Sequence, residues 1–179
     1  MVVKAEKLPT HKSQSAKERL RRRFRPAWER LLFVGEAPPA SGRFFYQADS
    51  GLYRAMRDAF ITAFPDLSDA NFLQSFQTLG CYLVDLCGKP VDRLNRQQRR
   101  KICEEGEIRL SRMLRQLQPE IVVTVVRSIT ANVRRAEAQA NWDGTRLELL
   151  YPGRWNHHRI AFEKSLVPFL RKHLRRKYK

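Results

Sequence analysis

The stretch LLFVGEAPPASGRFFYQADSG, Leu31 to Gly51, decides the fold class. Its four leading apolar residues, Leu31 to Val34, read as a short buried strand. They run directly into a loop holding Gly35, prolines at 38 and 39, Gly42 and the aromatic triplet Phe44, Phe45 and Tyr46. A helical pattern follows at once. In LYRAMRDAFITAF, residues 52–64, Leu52, Met56, Ala59, Phe60 and Ala63 share one helical face, and Pro65 stops the run. Strand, loop and helix in that order form the opening unit of an α/β protein.

The rest of the chain repeats the alternation. CYLVDL (81–86), IVVTVV (121–126) and TRLELLY (145–151) read as strands. Between them lies a long helix from Arg96 to Gln118, with Leu110, Met113, Leu114 and Leu117 at three- and four-residue steps, ended by Pro119. SITANVRRAEAQA (128–140) is a further helix, and HRIAFEKSLVPFLRKHLRRK (158–177) a final basic one with Pro168 near its middle. Residues 1–14 are polar and predict a flexible basic arm, after which Ser15 caps a first helix that Pro26 ends or bends. Residues 15–179 then make a single domain. Four strands separated by helices predict an α/β three-layer sandwich, a central, mostly parallel four-stranded sheet flanked by helices. Ligands in such folds sit beyond the carboxyl ends of the strands, so GEAPPASGRFFY, CGKPVDRLN and YPGRWNHHR are expected to meet at one rim.

Lys and Arg number 35 against 18 Asp and Glu, a formal charge of +17. That field favours a polyanionic partner, nucleic acid first, with a merely soluble basic protein or an anionic membrane surface as the other readings. The run RLRRRFR, Arg19 to Arg25, reads as a solvated helix face that adds non-specific phosphate affinity. No apolar run approaches the roughly 20 residues of a membrane helix, and MVVKAEKLPTHKSQS lacks a signal peptide's apolar segment, so a cytoplasmic protein is expected. Cys81, Cys87 and Cys103 are an odd number, expected as free thiols in a reducing compartment.

Three motifs, taken together, resemble the uracil-DNA glycosylase superfamily, in particular its prokaryotic thermostable branches. VGEAPPASGRFFYQADSGLYRAM is similar to the first motif, a Gly-Glu-Ala-Pro-Gly or Gly-Leu-Ala-Pro-Ala loop followed by Gly-Arg, an aromatic and a helix-opening Gly. CYLVDLCGKPVDRLNRQQRRKICEEGEIRLSRMLRQLQPEIVVTV resembles the second block of strand, Pro-containing loop, helix with an early cysteine, Pro and strand. LLYPGRWNHHR stands where the family closes with His-Pro-Ser-x-x-Asn, with Pro152, Arg154 and Asn156 in order. The likeness runs from about Leu31 to Leu170.

The resemblance implies a monomeric DNA-repair enzyme that flips a damaged base into a pocket and hydrolyses its N-glycosidic bond, with DNA as a weakly sequence-specific partner. It implies that Gly35, Ala37, Asp85 and one of Phe45 and Tyr46 bind the base, the aromatic by stacking, since three successive aromatics are not expected all to face inward. Glu36 falls at the water-positioning place, with a helix cap or surface pair as its other reading. Tyr151 and Asn156 complete the implied catalytic set. Arg43, Arg154, Trp155, His157, His158 and Arg159 are implied DNA contacts, Trp155 as a wedge.

Departures from the pattern qualify these roles. Ala37 stands where the best-known branch has an aspartate that activates water. Tyr151 replaces the closing histidine, so a phenol would donate to the leaving base. The thermostable branches hold an iron–sulfur cluster on four cysteines. Here there are only three cysteines and none precedes the first motif, where two are expected. Cys103 matches one ligand position and Lys89 falls near another, so a four-cysteine cluster is excluded, three ligands plus a histidine is the alternative, and no metal and no cofactor are expected. Asp85 replaces an asparagine that reads uracil. A carboxylate only accepts, which suits a base bearing an exocyclic amine or a second N–H, such as a modified cytosine or a deaminated purine, better than plain uracil. Alternatively Asp85 pairs with an arginine such as Arg93, or is protonated. A catalytically silent relative that binds DNA or a nucleotide is the second functional class.

Overall fold

The structure, a computed structural model, describes residues 11–153 and 155–174. In chain order the elements are α1 (His11–Arg23), β1 (Leu31–Gly35), α2 (Gly51–Ala63), α3 (Phe72–Thr78), β2 (Cys81–Asp85), α4 (Arg96–Leu117), β3 (Ile121–Thr124), α5 (Thr130–Ala140), β4 (Thr145–Glu148) and α6 (Asn156–His173). The strands form one parallel sheet in the order β2-β1-β3-β4. β1, β2 and β3 are buried along their whole length, because helices cover both faces, and this is why they read as unbroken apolar runs. β4 lies at the edge, is partly exposed, and reads TRLE.

Helix α4 packs on α5, and α2 packs on α6, completing a three-layer α/β fold. The chain leaves β1 toward one edge of the sheet and β3 toward the other. Right-handed crossovers therefore carry α2 and α3 to one face and α4 and α5 to the opposite face. β1 and β3 are the adjacent strands at which the connections diverge, the place where a crevice opens beyond the carboxyl ends.

Phenylalanines fill one side of the sheet. Phe33 of β1 lies 5.5 Å from Phe76, ring centre to ring centre, and Phe60 lies 5.5 Å from Phe72. All four are buried, and each contributes about 1.5–3 kcal/mol of transfer free energy. On the other face, Gly106 lets α4 press against the chain after β2. A Cβ there would stand 2.4 Å from the Leu86 carbonyl oxygen. The long α4 starts on a reciprocal cap, with Asn95 Oδ1 accepting from Gln98 N at 2.9 Å and Gln98 Oε1 accepting from Asn95 N at 3.2 Å.

Several expected boundaries move. α1 starts at His11, ahead of Ser15, so the expected arm of residues 1–14 is helical in its last part; residues 1–10 lie outside the described residues. No glycine or proline stands between Thr10 and Ser15 to halt the helix. α3 fits no expected element, since seven residues give a helical period too little length to show. The TRLELLY strand stops at Glu148, after which Leu149 N makes a last bond to Thr124 O at 2.8 Å and the chain leaves the sheet. α6 begins at Asn156 and runs unbroken through Pro168. No helix among the described residues is long and apolar enough to cross a membrane.

Candidate functional site

A cavity of about 310 Å³ opens where the β1 and β3 connections diverge, at the lower end of the size range of small-molecule sites. The segments after β1, β2, β3 and β4 all contribute, through Gly35 to Ala37, Asp85 and Asp92, Val125 and Val126, and Tyr151. The three loops expected at one rim do meet there.

Asp85 closes one wall. It lies beside Gly35 in the β1–β2 register, and a Cβ at Gly35 would stand 2.9 Å from Asp85 Oδ1. The missing side chain is thus what keeps that oxygen uncovered. Asp85 Oδ2 accepts from Arg21 Nη2 of α1 at 2.9 Å in a buried ion pair. The partner is Arg21 and not Arg93, because α1 lies across the sheet's end. Arg21 Nη1 donates to Glu18 Oε2 at 3.0 Å, and its Nε is buried without a partner. Arg109 of α4 donates to the Asp85 and Leu86 carbonyls, the latter at 3.0 Å. Burial pushes the Asp85 carboxyl above its ordinary range, and Arg21, Arg109 and Lys17 pull it part of the way back.

Glu36 faces Arg99 of α4. Arg99 Nε donates to Oε1 at 2.6 Å and Nη2 donates to Oε2, a fork that takes both carboxylate oxygens. Cys87 N donates to the Glu36 carbonyl at 2.7 Å, and Cys103 Sγ lies 3.9 Å from Glu36 Oε1. Cys87 and Cys103 are themselves 3.5 Å apart, Sγ to Sγ. Burial raises both thiols above their ordinary range. Among the described residues, no three His, Cys, Asp or Glu side chains are grouped to hold a metal ion.

The aromatic triplet corrects an expectation. Phe44, Phe45 and Tyr46 are all buried, because a 3-10 turn at Phe45–Gln47 tucks them between α1, α2 and α3 instead of along a strand. Phe44 and Phe45 line the cavity. Tyr46 does not. Its hydroxyl donates to Leu83 O at 3.0 Å and accepts from Leu83 N at 2.8 Å, and its ring stacks on Phe24. It is a brace between loop and sheet, which rules it out as the stacking aromatic. Ser50 also lines the cavity while its Oγ caps α2 by accepting from Tyr53 N at 3.1 Å.

Tyr151 forms the outer wall with a half-exposed ring. Burial raises its phenol, and the charges of Asp92 and Asp85 add to the rise. Ala37 is in the lining as expected. Asn156 is not; it is the exposed first residue of α6, so the helix start draws it away from the cavity. Trp155 is 65% exposed and stacks on His157, with ring centres 6.5 Å apart, while His157 and His158 are 4.3 Å apart. Arg159 pairs with Asp58 at 3.2 Å, Arg43 is exposed on the first loop, and Arg154 lies outside the described residues.

Sequence reasoning missed Arg21, Arg99, Asp92 and Ser50. Arg99 had a usable signal, since an Asn-x-x-Gln cap fixes where α4 begins and Arg99 falls one residue after the capping Gln98. Arg21 had none, as one arginine in a run of arginines looks like its neighbours. No protein-family model matches the chain, and no curated protein matches it at a significant level.

Proposed function

We propose that the protein is a DNA glycosylase of the uracil-DNA glycosylase type, which flips a deaminated or modified base out of DNA and hydrolyses its N-glycosidic bond. The observation that carries this reading is the convergence of three separately recognised loops on one cavity beyond the parallel strands. Phe45 supplies an aromatic wall for a base, the stiff Gly35–Pro39 turn a close backbone approach, and Tyr151 a phenol that stays neutral and able to donate to a departing base. The +17 charge supplies phosphate affinity. In the reaction a water oxygen bonds to the anomeric carbon as the carbon–nitrogen bond breaks. The bonding pair leaves with the base, which takes up a proton.

One observation favours the second class, a silent relative that binds without cutting. Arg99 occupies both oxygens of Glu36, so that carboxylate holds a water only if Arg99 gives one up. Single-lesion oligonucleotides treated with the protein and then alkali decide between the two. Strand scission at the lesion, reduced roughly a hundredfold or more in Glu36→Gln, is the expected result. Lesion-dependent binding with no scission on any substrate supports the silent relative instead.

A further inference from the structure

The lining of the cavity is richer in carboxylates than in cations, the reverse of the protein that contains it. In a chain of formal charge +17, the lining carries three carboxylates, Glu36, Asp85 and Asp92, against one guanidinium, Arg99. Arg99 and Glu36 satisfy one another. Asp92 Oδ2 accepts from Ala40 N at 2.8 Å, and Asp85 Oδ2 accepts from Arg21. What remains toward the cavity is acceptor capacity, above all Asp85 Oδ1, which has no partner among the described residues and faces the space that Gly35 leaves empty.

Arg21 fixes the direction of that acceptor. By holding Oδ2 from behind, it stops the carboxylate from turning and leaves Oδ1 as the presented atom. Fixed acceptors reward N–H donors and repel carbonyl oxygens. A base with an amine beside its ring nitrogen meets Oδ1 with a donor. The uracil N3–H, flanked by two carbonyl oxygens, brings two acceptors up against a carboxylate.

We infer that, of the bases the proposed function allows, the cavity selects modified bases that keep an exocyclic amine, of the cytosine or guanine type, over bases that lack it, uracil and hypoxanthine, with Asp85 as the reading residue and Arg21 as its positioning partner. The inference rests on the base-pocket reading above and names the class of base within it.

The test uses the full chain and short single strands in which one central base is flanked by abasic spacers, carrying cytosine, uracil, guanine, hypoxanthine or no base. Cytosine is expected to bind about tenfold or more tighter than uracil, and guanine than hypoxanthine. Asp85→Asn is expected to remove or reverse both preferences, and Arg21→Gln to weaken them. Uracil and hypoxanthine held as tightly as their amine partners by the wild-type protein would overturn the inference and leave the base pocket standing. Equal binding of all five strands would overturn the base pocket itself. The wild-type comparison decides even if Asp85→Asn does not fold, and a folded Asp85→Asn that keeps both preferences removes Asp85 from the role.

Discussion

The loop after β1 and the segment after β4 bound the same cavity, yet they are built in opposite ways. In the first, Phe44, Phe45 and Tyr46 are sunk in the core and Tyr46 is bonded at both ends of its hydroxyl to β2. In the second, Tyr151 is half-exposed, Trp155 stands in solvent, and the ring of His157 lies against those of Trp155 and His158. A wall made from core residues has its shape fixed by folding. A wall made from exposed rings carries little folding energy and leaves its apolar surface free for a partner.

The comparison breaks first on stability. Phe45→Ala removes a buried ring shared by the core and the cavity, and a loss of about 3–5 kcal/mol in chemical denaturation is expected. Trp155→Ala should change stability by less than about 0.5 kcal/mol. A large loss in the tryptophan variant would place that side chain in the fold and not on its surface.

It sharpens on binding. If Trp155 enters a duplex opened by base flipping, Trp155→Ala should weaken duplex binding by about 1–3 kcal/mol, the range of an aromatic–base stack, and single-strand binding by less. Fluorescence anisotropy on matched single and double strands measures both. Equal losses would mean that no gap in the helix is being filled.

The smallest expected effect is on pH, and it concerns the rigid side. The Asp85 carboxyl titrates above its ordinary 3.8, so the stability it contributes is fully present below that value and is lost as pH rises through the raised one. Its acceptor role runs the other way. A preference for amine-bearing bases should be strongest where the carboxyl is ionised and fade as the solution is acidified through the same raised value. A preference that is flat across that range would detach it from Asp85.

The difference between the two walls also explains what the sequence could show. β1, β2, β3 and α4 were legible because burial on both sheet faces and a three- and four-residue period leave direct marks in composition. The convergence of the loops was legible through topology, since parallel strands put their carboxyl ends on one side. Tyr46 was misread because a 3-10 turn obeys no two-residue alternation, and a hydroxyl can be buried when a neighbouring strand offers both a donor and an acceptor. Arg21 was misread because which member of an arginine run turns inward is settled by a carboxylate 64 residues away in the chain. Asn156 matched a motif position, but motif order says nothing about where a helix begins.

The contact between α1 and the end of β2 matters to anyone who shortens this protein. A sheet-centred boundary drawn at Pro26 looks harmless, because every strand and both helical layers survive it. It would nevertheless strip Asp85 of its buried counter-charge, a deletion that commonly costs about 3–5 kcal/mol. The fragment would meet that cost by binding a proton at Asp85, so that a trimmed chain could fold and still have lost the charge on which the proposed base preference depends. Ahead of the first strand, α1 thus belongs to the working domain as fully as any strand does.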